Sequence, residues 1–143
     1  MKREGTIWVL GGDLRQEKLA ALLSEEGHSV HTYALDQAAP YEGVTAETAL
    51  EGLHRADCVI LPLPVASASG MLHAPLGSGE RPLTDIFSRL SPAQFICGGM
   101  VGEETAELAG EYGLTIHDYF RREELAVANA VPTVLALWAW ERA

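Results

Sequence analysis

The run Gly11-Gly12-Asp13-Leu14-Arg15 places two conformationally permissive residues before a carboxylate and a guanidinium. Glycines at this point allow a tight turn, and the amides of a helix start that follows them are expected to face outward, where an anion can sit. Arg15 adds a planar fork suited to a carboxylate or phosphate. The dinucleotide fingerprint G-x-G-x-x-G is not matched, because Asp13 stands at its second glycine and Gln16 near its third. A purely structural role is open to Asp13 as well, as the cap of the helix. Other polar groups recur later in the chain. Ser67 follows the stiff run Pro62-Leu63-Pro64, Gly98-Gly99 leaves backbone uncovered, and Asp118, Arg121, Arg122, Glu123 and Glu124 precede Asn129 and Pro132-Thr133. The glycine pair also reads as a turn that requires small residues, and the interleaved charges as a solvated helix face. No G-x-S-x-G elbow with a matched histidine is present, which argues against a serine hydrolase and leaves catalytic residues unassigned. His28, His31, His54, His73 and His117 lack metal-ligand spacing, so no metal site is expected.

These groups share a location because of the elements around them. Apolar, β-branched runs alternate with helical patterns along the chain, the signature of a parallel sheet covered by helices on both faces. Strands are expected at Thr6 to Gly11, Ser29 to Ala34, Asp57 to Leu61, Gln94 to Cys97 and Leu114 to His117. Helices are expected at about Leu14 to Glu26, Ala46 to Arg55, Leu83 to Leu90 and Glu103 to Tyr112. The first helix carries Leu19, Leu22 and Leu23 on one stripe and closes at Gly27. The reading is a single flavodoxin-like α/β domain over residues 1–143, with a five-stranded parallel sheet in the order 2-1-3-4-5. Open sheets of this kind bind ligands beyond the carboxyl ends of their strands, which is where the loops named above begin. Residues 62–81 form an irregular stretch of a length that is usually functional or disordered. From Leu125 to Trp140 only Asn129 and Thr133 are strongly polar, so a helix there is apolar nearly all round and is expected to pack against a second copy of the chain or another domain, the alternative being a single buried face with alanines making up the rest.

Composition narrows the function classes. The 143 residues carry 20 acidic and 10 basic side chains, a formal charge of −10, which repels nucleic acid and anionic membrane surfaces. Cys58 and Cys97 each sit in an apolar run and behave as small hydrophobes, consistent with a reducing cytoplasm rather than a disulfide. No apolar run approaches the roughly 18 residues of a membrane-spanning helix, so the chain reads as soluble.

Together, GGDLR after the first strand, VILPLPV at the third and YFRREELAVANAVPT near the end resemble the amino-terminal domain of the dipicolinate synthase A subunit. The resemblance covers Thr6 to Thr133. It implies a role in bacterial sporulation, in the mother-cell cytoplasm, where the A and B subunits together oxidise a dihydrodipicolinate-type precursor to dipicolinate. It also implies likeness to two-domain 2-hydroxyacid dehydrogenases, whose first domain shapes the substrate side of a cleft while a second, Rossmann domain holds NAD(P). After Val131-Pro132-Thr133 the family continues with an acidic residue and glycine into the interdomain helix, whereas here Val134-Leu135-Ala136 follows. The cofactor-binding half is therefore expected to be absent from this chain, and hydride transfer by the chain alone is not expected.

The leading expectation is a substrate-side domain for a small dicarboxylate. Arg15 and either Arg121 or Arg122 would pair with its carboxylates, while Asp13, Ser67, Asn129 and Thr133 supply hydrogen bonds and Gly11, Gly12, Gly98 and Gly99 supply loop backbone. The expected protein partners are the B subunit of dipicolinate synthase and a second copy of the chain, in a homodimer formed through the carboxyl-terminal helix. The alternative from a different class is a non-catalytic interaction module that oligomerises through that helix. A receiver-like phosphoacceptor is disfavoured, since Leu61-Pro62 stands where its aspartate would end the third strand.

Overall fold

The computed structural model describes residues 5–35, 42–67, 70–77 and 79–118. Its sheet is parallel throughout. The strands are β1 (Thr6–Leu10), β2 (Ser29–Tyr33), β3 (Val44–Glu47), β4 (Cys58–Ile60), β5 (Phe95–Gly98) and β6 (His117–Asp118), with helices α1 (Leu14–Glu25), α2 (Leu83–Phe87) and α3 (Glu103–Glu111). The order across the sheet is β3-β2-β1-β4-β5-β6. This corrects the expected five-strand order 2-1-3-4-5, because a sixth strand adds at the edge beyond β2.

The last two residues of that strand, Ala46 and Glu47, lie where a helix was expected. Val44, Thr45, Ala46 and Glu47 pair with Val30, His31, Thr32 and Tyr33. The Glu47 carboxylate meets the His31 imidazole at 2.7 Å, which adds a side-chain link across the same pair of strands. Local helix propensity in Ala46 to Arg55 thus yields to tertiary pairing. All that remains helical there is a single 3-10 turn, Leu53–Arg55. Gly52 precedes it at a point where a Cβ would come within 3.3 Å of the Trp8 ring.

Alternation along the central strands sends side chains into two cores. On one face Ile7, Val9, Cys58, Ile60 and Cys97 pack against Leu19, Ala20 and Leu23 of α1. On the other, Trp8, Leu10, Val59, Leu61 and Ile96 pack against Leu83, Ile86 and Phe87 of α2 and Ala109 of α3. β1 is buried on both faces, as a central strand of a parallel sheet must be. Cys58 and Cys97 are buried and are not joined in a disulfide.

The helix ends follow their chemistry. Gly27, at φ +102°, lets α1 turn back while the His28 amide donates to the Leu23 carbonyl. Leu114, expected to open the last strand, instead donates its amide to the Ala109 carbonyl and buries its side chain among the α2–α3 core. Because Leu114 is spent closing α3, β6 begins only at His117. The apolar segment from Leu125 to Trp140 lies outside the described residues. Among the described residues no helix is long and apolar enough to cross a membrane.

Since His31 and Glu47 join the edge strand to β2 at side-chain level, Glu47→Ala should raise amide hydrogen exchange across Val44–Glu47 and leave β1 protected. Equal protection of β3 in both proteins, measured by exchange mass spectrometry, would show that the ladder alone holds the strand.

Candidate functional site

The carboxyl ends of β1, β2, β4, β5 and β6 form one rim. Its loops include residues in left-handed backbone conformations: Gly11 at φ +62°, Gly12 at +90°, Ala34 at +65° and Met100 at +52°. Two of these are not glycine, and such strain persists only where surrounding structure fixes it. Across part of this rim runs residues 62–82, the connection from β4 to α2, which returns on itself through bridges between Ala66 and Leu72 and between Met71 and Pro82. This strap buries Val65 and Leu72 in the core.

Contacts between strap and rim are close and mostly main-chain. The Gly12 amide donates to the His73 carbonyl at 2.8 Å, and the His73 amide donates to the Val65 carbonyl at 3.0 Å. A Cβ on Gly11 would lie 2.7 Å from that His73 oxygen, and one on Gly77 would lie 2.9 Å from the Ala34 oxygen. Glycine is required at both positions because backbone meets backbone there. The returning arm brings the Arg81 guanidinium over the Tyr33 ring, 4.9 Å from its centroid.

Asp13 and Arg15 stand together at the start of α1. The Asp13 carboxylate caps the helix by accepting from the Arg15 amide at 2.9 Å, and it also receives the Arg15 Nε at 3.1 Å and Nη2 at 3.0 Å. Nη2 reaches the Leu63 carbonyl at 3.5 Å, so the pair extends from the β1 loop towards the β4 loop. The side-chain bond from Arg15 holds the Asp13 carboxyl below its ordinary value of 3.8; burial opposes this, and the Arg15 amide, the Arg15 charge and the charge of His73 assist. Both side chains remain open to solvent, at 65% for Arg15 and 41% for Asp13.

The glycine turn departs from expectation. The Gly11 amide donates to the Tyr33 carbonyl and the Gly12 amide to His73, so neither faces outward to an anion. Gln16 occupies the space beside Gly12, with its Cγ at the position a Cβ there would meet, and it donates to the Leu10 carbonyl. Residues arranged this way do not fit the pyrophosphate of a dinucleotide. Gly98 and Gly99 are packing glycines too: a Cβ on Gly98 would lie 2.7 Å from Val65 Cγ2, and one on Gly99 would collide with Leu63. Ser67 sits on the exposed bend of the strap and donates from both Oγ and N to the Met71 carbonyl. Asp118 accepts from the Met100 and Val101 amides at 3.2 and 2.9 Å, which joins the ends of β5 and β6. Arg121, Asn129 and Thr133 lie outside the described residues.

His73 and Arg81 are rim residues that sequence reasoning missed. Their neighbours are 61 and 48 positions away in the chain, at Gly12 and Tyr33. The only local hint was the glycine doublet itself, which signals close approach by some other backbone without saying which. At the opposite end of the sheet a concavity of about 650 Å³ is lined by Arg55, Asp57, Gln94, Phe95 and His117, among others. Its polar groups serve the fold: Gln94 donates to the Leu53 and Ala56 carbonyls, Asp57 accepts from the Thr6 amide, and His117 stacks on Phe95. Among the described residues no cluster of His, Cys, Asp and Glu is arranged to hold a metal ion.

An open, all-parallel sheet with helices on both faces, a strap over its carboxyl end and a carboxylate–guanidinium pair at the first helix start defines a flavodoxin/Rossmann-like α/β domain. The family model for the N-terminal domain of the dipicolinate synthase A subunit matches residues 6–120, and the chain belongs to that family. No curated protein matches the sequence. Among solved structures that share the fold are two from Bacillus species. The A chain of dipicolinate synthase from Bacillus subtilis superposes with a TM-score of 0.76 at 22% identity, covering 99% of this chain and 48% of that one. The A subunit of dipicolinate synthase from Bacillus halodurans gives 0.76 at 20% identity, covering 90% and 45%. The chain thus spans about half the length of each.

Replacing Asp13 removes the cap and both side-chain bonds to Arg15. Asp13→Ala should cost about 1 kcal/mol in urea denaturation at neutral pH. Because folding lowers the Asp13 pKa, its charge-dependent contribution is complete above 3.8 and declines as pH falls from there through the depressed folded value. Solvent exposure keeps that contribution small. The difference between wild type and Asp13→Asn should accordingly narrow in acid, and a gap that widens instead would contradict the assignment. Gly11→Ala should be costlier, at about 1–3 kcal/mol, since it combines left-handed strain with a backbone collision.

Proposed function

We propose that this chain forms the substrate side of a dipicolinate synthase, in which the A and B subunits together oxidise a dihydrodipicolinate-type precursor to dipicolinate during sporulation. The family match across residues 6–120 carries this reading. The rim geometry supports it, because it gathers a guanidinium, an imidazole and a second guanidinium from a chain whose net charge is −10. A dianion approaching such a chain needs local positive charge, and Arg15 and Arg81 bring two guanidinium groups to this end of the sheet.

In this reading Arg15 receives one substrate carboxylate while Asp13 holds the guanidinium at the helix start. Arg121 or Arg122, with Asn129 and Thr133, serves the second carboxylate, a part of the proposal that rests on sequence alone. Ser67 is retained as a further donor, on the exposed bend of the strap. NAD(P) supplies the oxidant of the proposed reaction and is held by a Rossmann unit, since the β1–α1 turn here does not fit it. The charge of Arg15 is shared with Asp13, which keeps affinity modest and leaves room for a partner to complete the site.

Calorimetric titration of dipicolinate into the chain tests the proposal. Wild type should bind and Arg15→Ala should weaken binding by about tenfold or more, the scale of a lost charge-assisted hydrogen bond. Absence of binding by wild type would remove the substrate-side reading, and equal affinity of the two proteins would remove Arg15 from the site.

A further inference from the structure

In the Asp13–Arg15 pair the carboxylate receives both Nε and Nη2, so much of the guanidinium's charge is answered within it. A dianion placed against it therefore gains little from the guanidinium unless another donor stands beside the pair. The strap supplies one. His73 is held over the β1 turn by its own main chain, through Gly12 on one side and Val65 on the other. Its ring is half-buried, lies close enough to Asp13 for its charge to be felt there, and has no hydrogen-bond partner among the described residues. A half-buried imidazole without a hydrogen bond has a donor to offer a ligand. The two glycines make this placement possible, because a Cβ on Gly11 would meet the His73 carbonyl oxygen.

We infer that His73 is a substrate-binding residue that donates from its imidazole to the same carboxylate that Arg15 receives. This deepens the substrate-side reading and rests on it. The strap thereby takes over the role expected of the glycine amides, which are engaged by Tyr33 and His73. Two donors from separate segments, one on α1 and one on the strap, then converge on one carboxylate group. The charged group that feels His73 from the α1 start is Asp13, while Arg81 stands over Tyr33 on the returning arm.

The test is a double-mutant cycle in the full chain, with dipicolinate as the probe and binding read by calorimetry. His73→Ala should bind about tenfold more weakly than wild type, and His73→Gln, which keeps a side-chain N–H donor, should recover most of that loss. The Arg15→Ala/His73→Ala protein should lose less than the product of the two single effects, as expected when both groups serve one carboxylate. Thermal melting of His73→Ala should match wild type, since the strap anchors are main-chain atoms. If wild type and Arg15→Ala differ while His73→Ala binds normally, this inference fails and the substrate-side reading stands. Equal loss in His73→Ala and His73→Gln, or effects that simply multiply, would likewise overturn it. Failure of wild type to bind overturns both.

Discussion

One hydrogen bond organises the carboxyl end of the sheet: the Gly12 amide to the His73 carbonyl, 2.8 Å long, made where Gly11 has no side chain to obstruct it. It closes a strap of irregular chain onto the central strand, and the other rim contacts follow. Gly77 then reaches the Ala34 carbonyl, Arg81 comes over Tyr33, and Val65 and Leu72 enter the core beneath. Such a loop is stable because its backbone groups are paired with other backbone groups instead of being left buried and unsatisfied.

The parallel sheet was legible because its information is local. Runs such as Ile7 to Leu10 and Cys58 to Leu61 are continuously apolar, and only a strand buried on both faces calls for that. The edge was not legible. Ala46 to Arg55 has the composition of a helix, and what makes its first residues a strand is a neighbour: the free side of β2 and the imidazole of His31. Leu114 was misplaced for a related reason, since its apolar side chain suits either a strand or a helix closure, and only the Ala109 carbonyl decides.

The site divides along the same line. The capping role of Asp13 could be read from its place just before the helix, whereas its pairing with the Arg15 guanidinium was not read. The glycines were identified as important for a different reason from the one that holds. They admit another piece of backbone in place of an anion, and nothing between residues 11 and 16 says which piece. His73 and Arg81 owe their positions to chain closure over dozens of residues, which sequence spacing does not encode. Family resemblance was carried by short strings spread over the chain, and it agrees with the match over residues 6–120.

The way the strap is fastened separates two kinds of inheritance. Its grip on the sheet uses amides, carbonyls and the lack of a methyl group on the opposing glycines, none of which depends on which side chain the strap presents at residue 73. The side chain at residue 73 is thus uncoupled from the scaffold that carries it. A lineage built on this frame can exchange its ligand chemistry one substitution at a time while the architecture stays fixed, as structures that agree at a TM-score of 0.76 despite 22% identity illustrate for the fold.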